Sequence, residues 1–186
     1  MVVNTNIEEV KIIEPKVFCD DRGSFNEVFS TRALKNAGID FTPVQENCAY
    51  SKKAGTIRGV HFQNEPYAQA KLVRCTKGRV LDFAIDLRKG SPTYLKYVSI
   101  ELTAENKKQL FIPKGFAHAV ISLIDETEIE YLVDNLYEPT SDRSISPLDK
   151  ELNIEWGFDD LVLSDKDKNA PLLKESDCNF KFEVEA

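Results

Sequence analysis

The densest set of residues able to do chemistry lies in Thr56-Ile57-Arg58-Gly59-Val60-His61-Phe62-Gln63, followed by Gln69-Ala70-Lys71-Leu72-Val73-Arg74. An imidazole with an ordinary pKa of ~6.5 can take up and return a proton near neutral pH, while guanidinium and ammonium groups hold anions. With the two-residue period of a strand, Arg58, Val60 and Phe62 share one face, and Ile57, Gly59, His61 and Gln63 the other. By the same count Lys71 and Val73 oppose Leu72 and Arg74. So many polar groups are costly to bury without partners. Two readings fit: a ligand-lined cavity, or an exposed polar sheet face on which His61 is incidental.

Other candidates are less distinctive. His118, in Ile112-Pro113-Lys114-Gly115-Phe116-Ala117-His118, follows a Pro-Gly turn on an apolar strand, where a hydrogen-bonded core histidine is the commoner outcome. Tyr131, in Glu128-Ile129-Glu130-Tyr131-Leu132-Val133, reads as a packing residue with a wet hydroxyl. Asp167 is by composition one tail carboxylate among several. The chain has two histidines, so a His-based metal site would have to use both and recruit carboxylates. Cys19, Cys48, Cys75 and Cys178 are widely spaced, form no Cys-x-x-Cys pair and read as free thiols.

The elements that must position these residues look like strands. Val-, Ile-, Phe- and Tyr-rich segments run over 25–29, 71–75, 79–87, 94–102, 109–112, 116–123 and 128–133, broken by turn residues. Val98, Ile100 and Leu102 alternate with Ser99 and Glu101, as on a strand with one buried face. A short helix is predicted over 31–37, ended by Gly38, with a capped turn over 103–106. The tail from Pro147 onward should pack as loops and short helical turns over the β core. Helical periods between the strands, which an α/β fold requires, are absent. The prediction is an all-β, cupin-type jelly roll, with residues 1–186 as one domain.

Composition agrees with a soluble globular protein. The 186 residues carry 24 Lys and Arg against 31 Asp and Glu, and that net charge of −7 argues against general nucleic-acid or acidic-membrane binding. Neither a leader-like amino terminus nor a membrane-spanning apolar run is visible, so a cytoplasmic protein is expected.

Nine segments in register resemble the dTDP-4-dehydrorhamnose 3,5-epimerase family. They include Phe18-Cys19-Asp20-Asp21-Arg22-Gly23-Ser24-Phe25-Asn26-Glu27, Val44-Gln45-Glu46-Asn47, the two polar segments above, Leu102-Thr103-Ala104-Glu105-Asn106, the His118 segment, Tyr131 and Leu163-Ser164-Asp165-Lys166-Asp167. The resemblance implies a jelly roll dimerised by strand exchange and inversion at C3 and C5 of a dTDP-4-keto-6-deoxyhexose, without metal or other cofactor. It casts His61 as base, Asp167 as the carboxylate holding that imidazole, Lys71 as the cation near the C4 oxygen and Tyr131 as acid. His118 would be a supporting pocket histidine, Arg58 the diphosphate ligand, and Gln45 and Asn47 cleft-lining groups. Arg22, Glu27 and Phe18 would be nucleotide contacts supplied by the neighbouring subunit.

The sequence departs from the family pattern by one apparent extra residue after Asn47 and by Ser146-Pro147-Leu148-Asp149 in place of a Trp-containing segment. Three rivals remain: an epimerase acting at C3 or C5 alone, or a ketoisomerase; a metal-dependent cupin; and a nucleotide-sugar-binding module without turnover. A binder has no need of both a base and an acid.

Overall fold

The computed structural model describes residues 1–182. In chain order its elements are β1 (Val2–Asn4), β2 (Lys11–Ile13), β3 (Val17–Asp20), β4 (Gly23–Asn26), α1 (Thr31–Asn36), β5 (Gln45–Ser51), β6 (Ile57–Gln63), β7 (Lys71–Lys77), β8 (Arg79–Asp86), β9 (Tyr97–Thr103), β10 (Gln109–Ile112), β11 (Phe116–Ser122), β12 (Thr127–Val133), β13 (Asp142–Ser144), α2 (Asp165–Lys168) and a 3-10 turn at Leu173–Glu175.

Two antiparallel sheets face each other. One has the order β1-β2-β10-β7-β12-β5, the other β13-β6-β11-β8-β9, and β3 and β4 form a separate hairpin. Consecutive strands in each sheet are mostly not consecutive in sequence, the hallmark of crossed-over jelly rolls. The expected all-β, cupin-type jelly roll is the fold.

Three layers of core explain the sequence pattern. Between the sheets, Val73, Leu110, Ile112 and Ile129 of the six-stranded sheet meet Val80, Ala84, Val98, Leu102, Phe116 and Val120 of the other. The outer face of the five-stranded sheet carries Phe83, Ile85, Ala117, Ala119 and Ile121, packed under Ile145, Leu152, Trp156 and Phe180 from the tail. The outer face of the six-stranded sheet, with Leu72 and Phe111, lies under Leu34, Ile39 and Phe41. Strands β8 and β11 are thus covered on both faces and read as near-continuous apolar runs. Each fully buried Phe, Ile or Leu contributes about 1.5–3 kcal/mol to this assembly.

Local chemistry sets the element boundaries. Ser30 caps α1 by accepting the Ala33 N–H, and Gly38, at φ +78°, ends the run that was predicted over 31–37. Thr103 Oγ1 accepts the Glu105 and Asn106 N–H groups, making the expected capped turn. Strand β9 starts at Tyr97 rather than Tyr94, because the Ser91 and Thr93 hydroxyls fold the preceding loop onto Asp86 Oδ2, at 2.6 and 2.7 Å. The strand expected over 25–29 lies earlier, at Gly23–Asn26, because pairing with β3 stops at Asn26.

Candidate active site

A cavity of about 270 Å³ opens between the two sheets, lined from one side by Arg58, His61, Gln63 and His118 and from the other by Lys71 and Tyr131. The residues singled out as catalytic candidates converge because jelly-roll pairing sets β6 beside β11 and β7 beside β12. His61 and His118 are direct cross-strand partners.

The strict two-residue count through β6 is corrected. Arg58 pairs with Val120 and His61 with His118, so three steps along β6 match two along β11. That bulge changes the phase of the strand. Arg58 and His61 consequently line the same cavity, while Ile57, Val60 and Phe62 pack with the tail. Glycine is required within the bulge: a Cβ on Gly59 would lie 2.5 Å from Ala119 Cβ, at φ +149°. The count through β7 holds, with Lys71 and Val73 facing inward. Arg74 points to the outer face, where it pairs with Glu130, and adds no charge to the cavity.

Asp167 reaches the site from the tail. Ser164 caps α2 by accepting the Asp167 N–H at 3.1 Å, and Asp167 Oδ1 lies 2.6 Å from His61 Nε2. Burial pushes the Asp167 carboxyl up, but the His61 hydrogen bond and charge, the Ser164 hydroxyl and the Gly59 backbone amide outweigh it and hold it below the usual value. With Nε2 committed to Asp167, Nδ1 is the imidazole nitrogen left to exchange a proton with a ligand.

The opposite wall is short of solvent. Burial lowers the Lys71 ammonium to about 8, against the opposing charges of Asp82 and Asp142 and assisted by Lys166. Burial also raises the Tyr131 phenol above its ordinary value, which keeps it a proton donor at neutral pH. Lys71 Nζ sits 5.7 Å from the centre of the Tyr131 ring. His118 crosses that ring edge-on at 6.1 Å, and its Nε2 lies 2.9 Å from Asp82 Oδ2.

Arg58 donates to Ser51 Oγ and to the Tyr50 carbonyl, which fixes the guanidinium at the cavity wall. Gln45 and Asn47 are linked by a 2.8 Å hydrogen bond and follow Ala49 of the cavity lining along one face of β5, with Asn47 directly across from Tyr131. Arg22, Glu27 and Phe18 are not brought to this cavity. Phe18 and Glu27 border a separate apolar hollow of about 500 Å³ around the β3–β4 hairpin, and the 90% exposed Arg22 side chain pairs with Asp20.

Sequence reasoning missed three further polar lining residues, Tyr137, Asp142 and Lys166, as well as Asp82 behind His118. Lys166 Nζ lies 2.6 Å from Asp142 Oδ2. Only Asp82 left a signal, a carboxylate at the inward-facing phase of an apolar strand.

An imidazole held by a carboxylate on one sheet faces a phenol on the other, beside a buried ammonium, an arrangement that equips a jelly roll to move protons on a bound small molecule. Comparison with known proteins makes the class particular. Residues 4–175 match the family model described as dTDP-4-dehydrorhamnose 3,5-epimerase. The dTDP-4-dehydrorhamnose 3,5-epimerase of Shigella flexneri is 48% identical over 95% of this chain and 97% of its own. A solved epimerase from Bacillus anthracis, with TDP and PPi bound, superposes with a TM-score of 0.91 at 43% identity, covering 93% of this chain and 99% of that one. The dTDP-6-deoxy-D-glucose-3,5-epimerase of Legionella pneumophila, in complex with dTDP-4-keto-L-rhamnose, gives 0.94 at 39% identity over 99% of both chains. The chain belongs to the dTDP-4-dehydrorhamnose 3,5-epimerase family.

Proposed function

We propose that this protein inverts C3 and C5 of dTDP-4-dehydro-6-deoxyglucose to give dTDP-4-dehydrorhamnose. The C4 ketone acidifies the hydrogens on both neighbouring carbons. His61 removes one through Nδ1 while Asp167 stabilises the imidazolium that forms. Charge then develops on the C4 oxygen, where the Lys71 ammonium opposes it. Tyr131 returns a proton from the other face, and inversion follows because acid and base stand on different sheets. The observation that carries this reading is the 2.6 Å His61–Asp167 contact in a cavity whose opposite wall holds Tyr131 and Lys71.

The cavity lies near the lower end of the ~300–1,000 Å³ usual for small-molecule sites, enough for a sugar ring but not a whole nucleotide sugar. Arg58 binds the diphosphate at its wall, and Gln45 and Asn47 extend the cleft. The nucleotide is held by Arg22, Glu27 and Phe18 of the partner subunit in a strand-exchanged homodimer. That assignment draws support from the position of these residues on an exposed hairpin, where Phe25 is 72% and Phe18 53% exposed. We take residues 1–186 as one such domain, working in the cytoplasm. Two of its four free thiols are solvent-facing, which suits a reducing compartment. Among the described residues no helix is long and apolar enough to cross a membrane.

Turnover of dTDP-4-dehydro-6-deoxyglucose in deuterated water tests the reaction. Deuterium at both C3 and C5 of the product is expected. Label at one carbon alone would make the protein a single-site epimerase, and none at all would leave a binding module.

A further inference from the structure

At the cavity wall stands a second histidine–carboxylate pair that the reaction above does not use, His118 of the lining with Asp82 behind it. Asp82 is fully buried on β8, in the inward phase between Val80 and Ala84. One of its oxygens meets His118 Nε2 at 2.9 Å, and the other, Oδ1, is buried without a hydrogen-bond partner among the described residues. A carboxylate oxygen left bare in a core costs about 1–3 kcal/mol or more, so it calls for a compensating role. The same inter-sheet space holds Lys71, 8% exposed, with no carboxylate within the 4.0 Å of an ion pair among the described residues. Asp82 and Lys71 therefore sit on facing sheets as two incompletely partnered groups, with His118 and Tyr131 beside them.

We propose that Asp82 is a positioning residue of the epimerase: it fixes the His118 ring and, across the inter-sheet core, favours the charged form of Lys71. The inference rests on the epimerase reading given above. Other charged or titratable groups facing Lys71 are Tyr131 on β12, Arg58 and His61 on β6, His118 on β11, Asp142 on β13 and Lys166 on α2. Of the two carboxylates that favour its charged form, Asp142 is already taken up by Lys166 at 2.6 Å. Asp82 keeps one oxygen without a hydrogen-bond partner among the described residues, so its carboxylate is the one left to act across the core on Lys71.

The test is Asp82→Asn, which keeps the shape and the His118 contact while removing the charge, with Asp82→Glu as the conservative control. Both enzymes are read by the pH dependence of kcat/KM and by lysine-selective NMR of the Lys71 Nζ titration. Without the anion, Lys71 loses its proton more easily, so the alkaline limb of Asp82→Asn should move about one pH unit lower. Its kcat/KM at pH 6.5 should fall less than that of Lys71→Met does, and Asp82→Glu should restore the limb. An alkaline limb and Lys71 titration unmoved in a folded Asp82→Asn protein would overturn the proposal. So would failure of that variant to fold, which would make the carboxylate structural. A native enzyme that places no deuterium in its substrate would instead refute the epimerase reading itself.

Discussion

Asp167 and His61 are 106 positions apart in sequence and 2.6 Å apart in space, and the bond is made through Nε2. His61→Ala should lower kcat by at least ~100-fold with the fold intact. Asp167→Asn should lower it less than removal of the imidazole does, because the amide still orients the ring. Steady-state kinetics with circular dichroism checks both; near-normal turnover by His61→Ala would refute the assigned base.

The same pair governs acid stability. Because Asp167 titrates below its ordinary 3.8 in the folded protein, its contribution to stability is fully present above about pH 4 and is lost as pH falls through the lowered native value. Urea midpoints of native protein and Asp167→Asn should therefore converge between pH 5 and about pH 2. A gap that stays constant over that range would show that the carboxylate charge adds nothing to the fold.

Lys71 and Tyr131 should separate by readout. Lys71→Met should cost about 100- to 1,000-fold in kcat, the range for losing a donor to a developing oxyanion, while leaving thermal stability unchanged or raised, since a buried ammonium is replaced by an apolar chain. Tyr131→Phe should lose inversion more than proton abstraction. It should thus return deuterated but unepimerised substrate, visible by proton NMR.

The bulge in β6 offers a backbone test. Gly59→Ala would drive a methyl group to 2.5 Å from Ala119 Cβ. A loss of about 1–3 kcal/mol is expected, measured by urea unfolding. Activity should fall with it, since the bulge turns Arg58 and His61 to one side.

Subunit complementation tests the hairpin. Arg22→Ala and His61→Ala proteins, each weak alone, should recover about a quarter of native activity when unfolded and refolded together in equal amounts. Half of the resulting dimers would be mixed, each with one intact site. No recovery would place Arg22 in its own subunit's site or outside any site.

The fold was largely legible because β8, β10, β11 and β12 carry dense apolar runs, and their predicted limits fall within a few residues of the observed ones. Strand β5 escaped notice: Gln45, Asn47 and Ser51 put polar groups on its inward phase, as a cavity demands. The phase of β6 was also hidden, for a bulge is a property of pairing with β11 and leaves only Gly59 as a local mark. From composition alone Asp167 was one tail carboxylate among many. The Ser164-x-x-Asp167 cap was the available clue, and the family resemblance picked the residue out. Asp142 and Tyr137 carried no local signal, because the turn after β12 decides where they point.

The segment that supplies Asp167 is also the segment that roofs the five-stranded sheet with Leu152, Trp156 and Phe180. Synthesis from the amino end therefore delivers His61, Lys71, His118 and Tyr131 well before their last companion. Under the proposed mechanism a nascent chain can line its cavity before the carboxylate that holds the His61 imidazole arrives, so full activity reports that the tail has settled over the sheet.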